Sequence, residues 1–273
     1  MKNLKLVFCG LILSAIVISC QKNNINGGGP TYPRTVHEDS IRAFLKGKTW
    51  KYFEYFHRYD SSATDLVWKI GKSNSTNNLN LDRVTYLTDS TYKEIDASGT
   101  LYTGTWSLLG GGSQIQVVNA LGTFTSNIVK LSNTEFQWYE PSTFHYGFMV
   151  PDSLAPDTTG GRLAVLTSHI WIYDEYFSGY NTNPTRLIYK RGKSNSPLNL
   201  NLNQAQFNTN GTYWEIDQNG TFYSGTWSFL NGQSQIQVVN SLGTFTSNIR
   251  RLDHKRFEWQ DLPGGTWGEE VPQ

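Results

Sequence analysis

The stretch TYKEIDASGTLYTGTWS, residues 91–107, returns 121 positions later as TYWEIDQNGTFYSGTWS, residues 212–228. In both versions Thr91 to Asp96 and its equivalent lie between turn pairs, Asp89-Ser90 and Ser98-Gly99 in one, Asn210-Gly211 and Asn219-Gly220 in the other. Such pairs are hairpin signals, because Asn, Asp and Gly accept the positive φ that tight turns between twisted strands demand. The reading is therefore a β-meander, written twice.

The repeat extends outward without an insertion. Trp50 and Trp171, Gly104 and Gly225, Trp138 and Trp259, and Pro151 and Pro272 keep the same spacing. A period this long exceeds that of solenoids and propellers, so each copy is expected to bury its own core and fold by itself. Strands are expected at Thr49 to Phe56, Leu66 to Ile70, Val84 to Leu87, Thr91 to Asp96, Gly99 to Leu108, Gln114 to Val118, Phe124 to Leu131, Phe136 to Tyr139 and Tyr146 to Val150. Sequential antiparallel strands in about 110 residues favour a meander closed on itself, which removes exposed edges, over a two-sheet sandwich. The expected class is all-β, with two tandem up-and-down antiparallel barrels of about 7–8 strands each.

Composition agrees with that class. Aromatic residues make up 14% and charged residues 16% of the 273-residue chain, and the formal net charge is +1. Aromatic and β-branched residues fill pleated faces, while Gly and Asn make the turns. No basic stripe is present, so nucleic acid is not an expected partner.

The first residues, Met1 to Lys5, are basic, and Leu6 to Ile18 is apolar but too short to span a membrane. Val17-Ile18-Ser19-Cys20 resembles a bacterial lipobox, which implies cleavage before Cys20 and lipidation of that cysteine. Cys9 would be discarded, leaving no thiol for a disulfide or a thiolate metal site. Gln21 resembles the second mature residue of lipoproteins sent to the outer membrane. The expected organisation is a signal peptide at 1–19, a flexible tether at 20–40, a first domain at 41–151, a linker at 152–161 and a second domain at 162–273.

Trp50 on the first strand, Asp89-Ser90-Thr91-Tyr92, Asn210-Gly211-Thr212-Tyr213, Gly104-Thr105-Trp106-Ser107 and the closing Leu131…Phe136-Gln137-Trp138 resemble the small lipocalin-like domains of bacterial lipoproteins. The resemblance covers about 41–151 and 162–272 and implies a calycin-type barrel. The Gly-x-Trp opening of other lipocalins is absent, since Gly47 lies three residues before Trp50 and Ser168 replaces it in the second copy. The motifs are those of a fold, and no transport function follows from them.

Candidate site residues come from period-two alternation. Trp50, Tyr52, Glu54 and Phe56, with Trp171, Tyr173, Glu175 and Phe177, are the same in both copies and are read as the inner face. Glu94 and Glu215 alternate with Tyr92 and Tyr213 on the fourth expected strand. An acid aimed into a barrel is costly unless paired, hydrated or awaiting a ligand. One reading makes Trp50, Tyr52, Tyr92 and Trp106, and Trp171, Tyr173, Tyr213 and Trp227, walls of a cleft in which Glu54, Glu94, Glu175 and Glu215 orient a ligand. The other pairs Glu54 with Lys69 and Glu175 with Lys190.

Gly71-Lys72-Ser73 and Gly192-Lys193-Ser194 are not phosphate loops, because Leu66 and Leu187 stand where that motif needs another Gly. The identical runs Gly71 to Ser75 and Gly192 to Ser196 are read as polar loops at a barrel mouth. His37, His57, His145, His169 and His254 are scattered and do not recur between copies, so neither a metal, a cofactor nor catalysis is expected. The functional expectation is a lipid-anchored envelope protein, on the outer membrane, whose barrels bind a glycan or a small amphipathic ligand. The alternative is a non-catalytic structural or assembly component with an envelope protein as partner.

Overall fold

A computed structural model describes residues 36–262 and 265–273. The expected signal peptide, Cys20 and the tether as far as residue 35 lie outside the described residues. The protein is all-β, built on a closed eight-strand antiparallel barrel with further strands.

In the first copy the strands are β1 (Thr49–His57), β2 (Asp65–Lys69), β3 (Arg83–Tyr86), β4 (Thr91–Ile95), β5 (Leu101–Leu109), β6 (Gln114–Asn119), β7 (Gly122–Leu131), β8 (Phe136–Glu140) and β9 (His145–Pro151). Strands β3 to β9 pair in sequence order, and β1 pairs with β3 on one edge and with β9 on the other, which closes the ring. Strand β2 takes over from β3 along the second half of β1 and leaves the ring. The second copy repeats these pairings with β10 (Ile170–Ser178), β11 (Thr185–Lys190), β12 (Gln204–Phe207), β13 (Thr212–Ile216), β14 (Phe222–Leu230), β15 (Gln235–Asn240), β16 (Gly243–Asp253), β17 (Arg256–Asp261) and β18 (Trp267–Pro272).

The turn chemistry works as the dipeptides indicate. Asp96 Oδ1 accepts the N–H groups of Ser98 and Thr100 at 2.9 and 2.8 Å, and Asp217 Oδ1 those of Asn219 and Thr221 at 2.8 Å each. Within the strands, Gly225 is needed because a Cβ there would stand 2.0 Å from the Val239 carbonyl oxygen and 2.9 Å from the Tyr213 ring. Gly225→Ala is expected to lower the denaturation midpoint by an amount typical of overpacking, about 1–3 kcal/mol; an unchanged midpoint would show that β14 and β15 separate freely.

Two helices were not expected. Helix α1 (Val36–Leu45) begins inside the stretch read as tether, and α2 (Gly161–Thr167) begins at the end of the stretch read as linker. Glu38 and Asp39 in the first turn of α1 suit the positive end of the helix dipole. Each helix is short and buries one side, Ile41 and Leu45 in α1, Val165 and Leu166 in α2. Each also ends on a tryptophan of the adjoining ring: Trp50 Nε1 donates to Leu45 O at 3.3 Å and Trp171 Nε1 to Leu166 O at 2.9 Å. A helix thus packs against the core of each copy.

Each copy does bury a core, one around Trp50, Tyr92, Trp106 and Phe136, the other around Trp171, Tyr213, Trp227 and Phe257. A third cluster belongs to both copies: Phe53, Phe56, Leu66, Tyr146 and Phe148 pack with Phe177, Tyr180, Leu187 and Trp267. The expectation of two self-sufficient cores is corrected to this extent. Strands β2 and β11 pair antiparallel, Leu66 opposite Thr185 and Asp65 opposite Arg186, and Phe56 stacks on its own equivalent, Phe177, with centroids 6.3 Å apart.

The contacts are reciprocal, as in an isologous dimer. Lys72 lies over the Tyr180 ring at 5.1 Å, and Lys193 over the Tyr59 ring at 5.4 Å. Asn74 donates to Tyr180 O at 3.4 Å, and Asn195 to Asp60 O. The two identical loops read as mouth loops are a pair of clasps, each reaching the other copy.

Candidate functional site

The residues read as one ligand face separate into three environments. Trp50, Trp106, Trp171 and Trp227 are core residues. Trp106 and Trp227 donate their indole N–H to Leu87 O and Asn208 O at 3.2 and 3.0 Å, so their polar atoms are satisfied inside the fold.

Glu54 and Glu175 are not in a barrel. A register shift between Tyr52 and Glu54 places one extra residue, Phe53, in β1, and the matching shift lies between Tyr173 and Glu175 in β10. A bulge moves every later side chain to the opposite face. Trp50 and Tyr52 therefore pack in the first core, whereas Phe53, Glu54 and Phe56 face the second copy, and Tyr55 returns to the barrel side against Tyr52 and Trp138. Strict alternation misassigned Glu54 and Phe56, with their equivalents, for this reason.

Between the copies Glu54 pairs with Lys69 and Glu175 with Lys190. Lys69 Nζ also lies 2.7 Å from Glu269 Oε2 and 4.0 Å from Glu175 Oε2, and Arg256 pairs with Glu269. Glu54, Lys69, Glu175 and Glu269 are fully buried. The carboxylates of Glu54, Glu175 and Glu269 cluster as metal ligands would, but the ammonium of Lys69 occupies the cation's place among them. Burial opposes ionisation of Glu54, yet Lys69, with Lys190 and Arg256, holds its carboxyl below the usual range. Burial and then the Glu54 charge push Glu175 upward. The cluster is neutralised from within and joins the copies.

Tyr173, Tyr213 and Glu215 do come together, at a cavity of about 210 Å³ inside the second ring. Phe207, Ile236, Val238, Leu242, Phe245 and Trp259 supply its apolar wall, and Glu270 and Asp261 join Glu215 as its acids. Asn240 Nδ2 donates to Tyr213 Oη at 2.5 Å and to Glu215 Oε1 at 3.0 Å. Asp261 is occupied on both oxygens, by Ser247 at 2.6 Å and Thr266 at 2.8 Å. Glu270, 5% exposed, accepts Trp259 Nε1 on Oε1 at 2.8 Å, while its Oε2 has no partner among the described residues.

Burial, and secondarily the Glu215 charge, push the Glu270 carboxyl up to about 7 against the opposing Trp259 hydrogen bond. A carboxyl raised in the folded state is stabilising while protonated, and that stability is lost as pH rises from its unfolded value through about 7. Glu270→Met, which copies Met149 at the equivalent position, is expected to raise stability by about 3 kcal/mol at pH 8 and by far less at pH 5. Thermal melts at both pH values check this. A gain independent of pH would show Glu270 to be ionised at no cost.

The first copy keeps part of the arrangement. Tyr92 donates to Glu94 at 3.4 Å and accepts from Asn119, and burial raises Glu94. Asp82, 7% exposed, is pushed to about 7 by burial and then by Glu94. Residues that sequence reasoning missed are Glu270, Trp259, Asp261 and Phe245. Trp259 was in view as a repeat marker, and its position on the strand before β18 was the available signal. Gly268 lies under its ring, where a Cβ would stand 2.3 Å from the indole. Gly268→Ala is expected to displace Trp259 and red-shift the tryptophan emission; an unaltered spectrum would show that the indole does not rest there. Four of the five histidines, scattered along the sequence, meet in pairs in space: His57 stacks on His145 at 4.3 Å, and His169 Nε2 meets His254 Nδ1 at 3.1 Å.

A second concavity, about 1030 Å³, runs between the copies and is lined by Tyr59, Tyr139, Gln137, Arg191, Lys193 and Lys255 among others.

No family model matches the chain, and no curated protein matches it. Two solved structures are similar to part of it. A lipocalin-like protein from Bacteroides uniformis aligns with 13% identity and a TM-score of 0.28, over 40% of this chain and 98% of its own. A DUF4847 family protein from Bacteroides vulgatus aligns with 11% identity and a TM-score of 0.31, over 41% of this chain and 96% of its own.

Proposed function

We propose that this chain is a non-catalytic binding protein, two lipocalin-like barrels in tandem, whose second barrel holds a small amphipathic molecule. The observation that carries the reading is the cavity beside Trp259, whose apolar side chains face a few converging acids and phenols, with one oxygen of Glu270 unpartnered among the described residues. Apolar lining with a few converging polar groups is what small-molecule sites require, and a volume below the usual ~300–1,000 Å³ calls for a small occupant. Lipid attachment at Cys20, and with it a place in the cell envelope at the outer membrane, belongs to the same proposal on the strength of the lipobox-like run. Metabolic labelling with a palmitate analogue, lost in Cys20→Ser, tests that part.

Ligand-observed NMR against small amphipaths of about ten non-hydrogen atoms tests the site, with Val238→Phe as the variant that fills the cavity. Signals present in the parent and absent in a folded Val238→Phe support the reading. A screen in which no signal depends on Val238 overturns it.

A glycan has a better place in the groove between the copies. Tyr139 lines it beside the amide of Gln137 and the cations of Arg191 and Lys193, whereas the Tyr59 ring is covered by Tyr146 and Lys193. Oligosaccharides in the same screen, with Tyr139→Ala, examine this second reading. Silence at both sites would favour the assembly component instead, to which the exposed Leu101, Leu121, Phe222 and Leu242 at equivalent positions of the two copies would then belong.

A further inference from the structure

The chemistry of the second-barrel cavity specifies more than its shape. Three acids, Glu215, Asp261 and Glu270, line it, together with two phenols, Tyr173 and Tyr213, and its lining holds no Lys, Arg or His among the described residues. Asp261 spends its oxygens on Ser247 and Thr266, and Glu215 is held by Asn240. Glu270 is different: it is buried, one oxygen is fixed by Trp259, and the other has no hydrogen-bond partner among the described residues. A buried carboxyl oxygen without a partner is uncommon in a folded protein and is costly unless something completes it.

The two copies supply an internal comparison. Met149 occupies the place of Glu270 and packs in the first core, whereas Glu94 and Glu215 are retained at equivalent positions. The acid was thus placed in a position that an apolar residue fills without difficulty. From these observations, and resting on the reading of the cavity as a ligand site, we infer that the second barrel selects a small organic cation, an ammonium group on an aromatic or aliphatic body, with Glu270 Oε2 as its direct counter-ion and Glu215 as the second acid.

An ammonium group brings three donors and a positive charge into a site whose fixed groups are acceptors and acids. Removed from water, such a group is stable only where a carboxylate and further acceptors replace its hydration. A neutral alcohol supplies one donor and leaves the acids uncompensated. A carboxylate ligand would add a fourth anion. The apolar wall of Phe207, Ile236, Phe245 and Trp259 accommodates the body of the molecule.

The groups facing Glu270 from the surrounding strands set its pH behaviour. Tyr173 stands opposite on β10, Trp259 and Asp261 come from β17, and Tyr213 and Glu215 from β13. None carries a positive charge, so the ionised form of Glu270, which prevails above about pH 7, has only the Trp259 hydrogen bond to support it until a cation binds. With that carboxyl near 7 when the cavity is empty, an amine that stays protonated should bind about tenfold more weakly at pH 6 than at pH 8, and should release a proton on binding.

Calorimetric titration of the purified protein with phenethylamine, 2-phenylethanol and phenylacetate, three probes of similar body and different head, tests the inference. The expected result at pH 8 is that phenethylamine binds at least tenfold more tightly than the other two, and that this advantage disappears in both Glu270→Gln and Glu270→Met. Equal binding of the alcohol and the amine, abolished for both by Val238→Phe, would overturn the cation and leave the cavity as a site. Amine selectivity that survives in Glu270→Met would overturn it too. Failure of all three probes, together with a screen in which no signal depends on Val238, would remove the site and the inference together.

Discussion

Lys69→Met is expected to destabilise the protein by about 3–5 kcal/mol, a large part of the ~5–15 kcal/mol that holds a typical domain folded. The ammonium of Lys69 contacts Glu54 and Glu269 and lies 4.0 Å from Glu175, all with no exposure to solvent. Methionine keeps most of the length of the side chain and removes the charge, so Glu54 loses its partner beside Glu175 and Glu269, which keep only Lys190 and Arg256. The cost should shrink as pH falls toward 5, because protonation then supplies the neutralisation that Lys69 provided. Urea denaturation of parent and variant at pH 7.5 and pH 5 measures both effects. An equal midpoint at pH 7.5 would mean that the six charged groups between the copies contribute nothing as a set, and that the apolar cluster around Phe56 and Phe177 alone joins them.

Trp171→Ala is expected to cost a similar amount, about 3–5 kcal/mol, as large aromatic truncations in packed cores do. Trp171 is fully buried, meets the edge of Phe257 at a centroid distance of 5.7 Å and ties β10 to the end of α2 through Leu166 O. Removing it opens a cavity and leaves that carbonyl without its donor. If Trp171 were instead a wall of the ligand cavity, the variant would stay stable and lose binding. Circular dichroism melts together with probe titration separate these results, and a melting temperature within about a degree of the parent would contradict the structural role.

Much of the architecture was legible beforehand because its signals are local. The Asp96 and Asp217 turns depend on side chains bonding to backbone two and four residues away, and alternation within β4 or β5 needs only neighbouring residues. Strand limits inferred from those signals lie within a residue or two of the observed ones throughout the first copy. Helices α1 and α2 escaped because each is short and derives its stability from a tryptophan beyond its end, a contact with no local trace. Of the candidate ligand residues in the second copy, Tyr173, Tyr213 and Glu215 line the cavity, since they precede any bulge on their strands or lie on a strand without one. Glu175 follows a bulge, and one inserted residue sent it to the opposite face.

The comparison of two copies carried a similar ambiguity. Identity at Glu54 and Glu175, and at the loops from Gly71 and Gly192, marks positions under a shared constraint without naming it. The constraint is a reciprocal interface in which each copy meets the other, and reciprocity makes both sides need the same residues. Glu270 and Met149 show the converse. Their difference looks incidental in a linear reading, yet it places a buried acid at the cavity of one copy and a core residue in the other.

The sequence by itself determined the strands, their order, their turns and the duplication, because hydrogen-bonded hairpins and period-two burial are properties of adjacent segments. Only the tertiary structure decided which acids face each other between the copies and which face a cavity, because a bulge in β1 or β10 reverses the faces of a strand and charges brought together from residues 54, 69, 175 and 269 interact through space rather than along the chain.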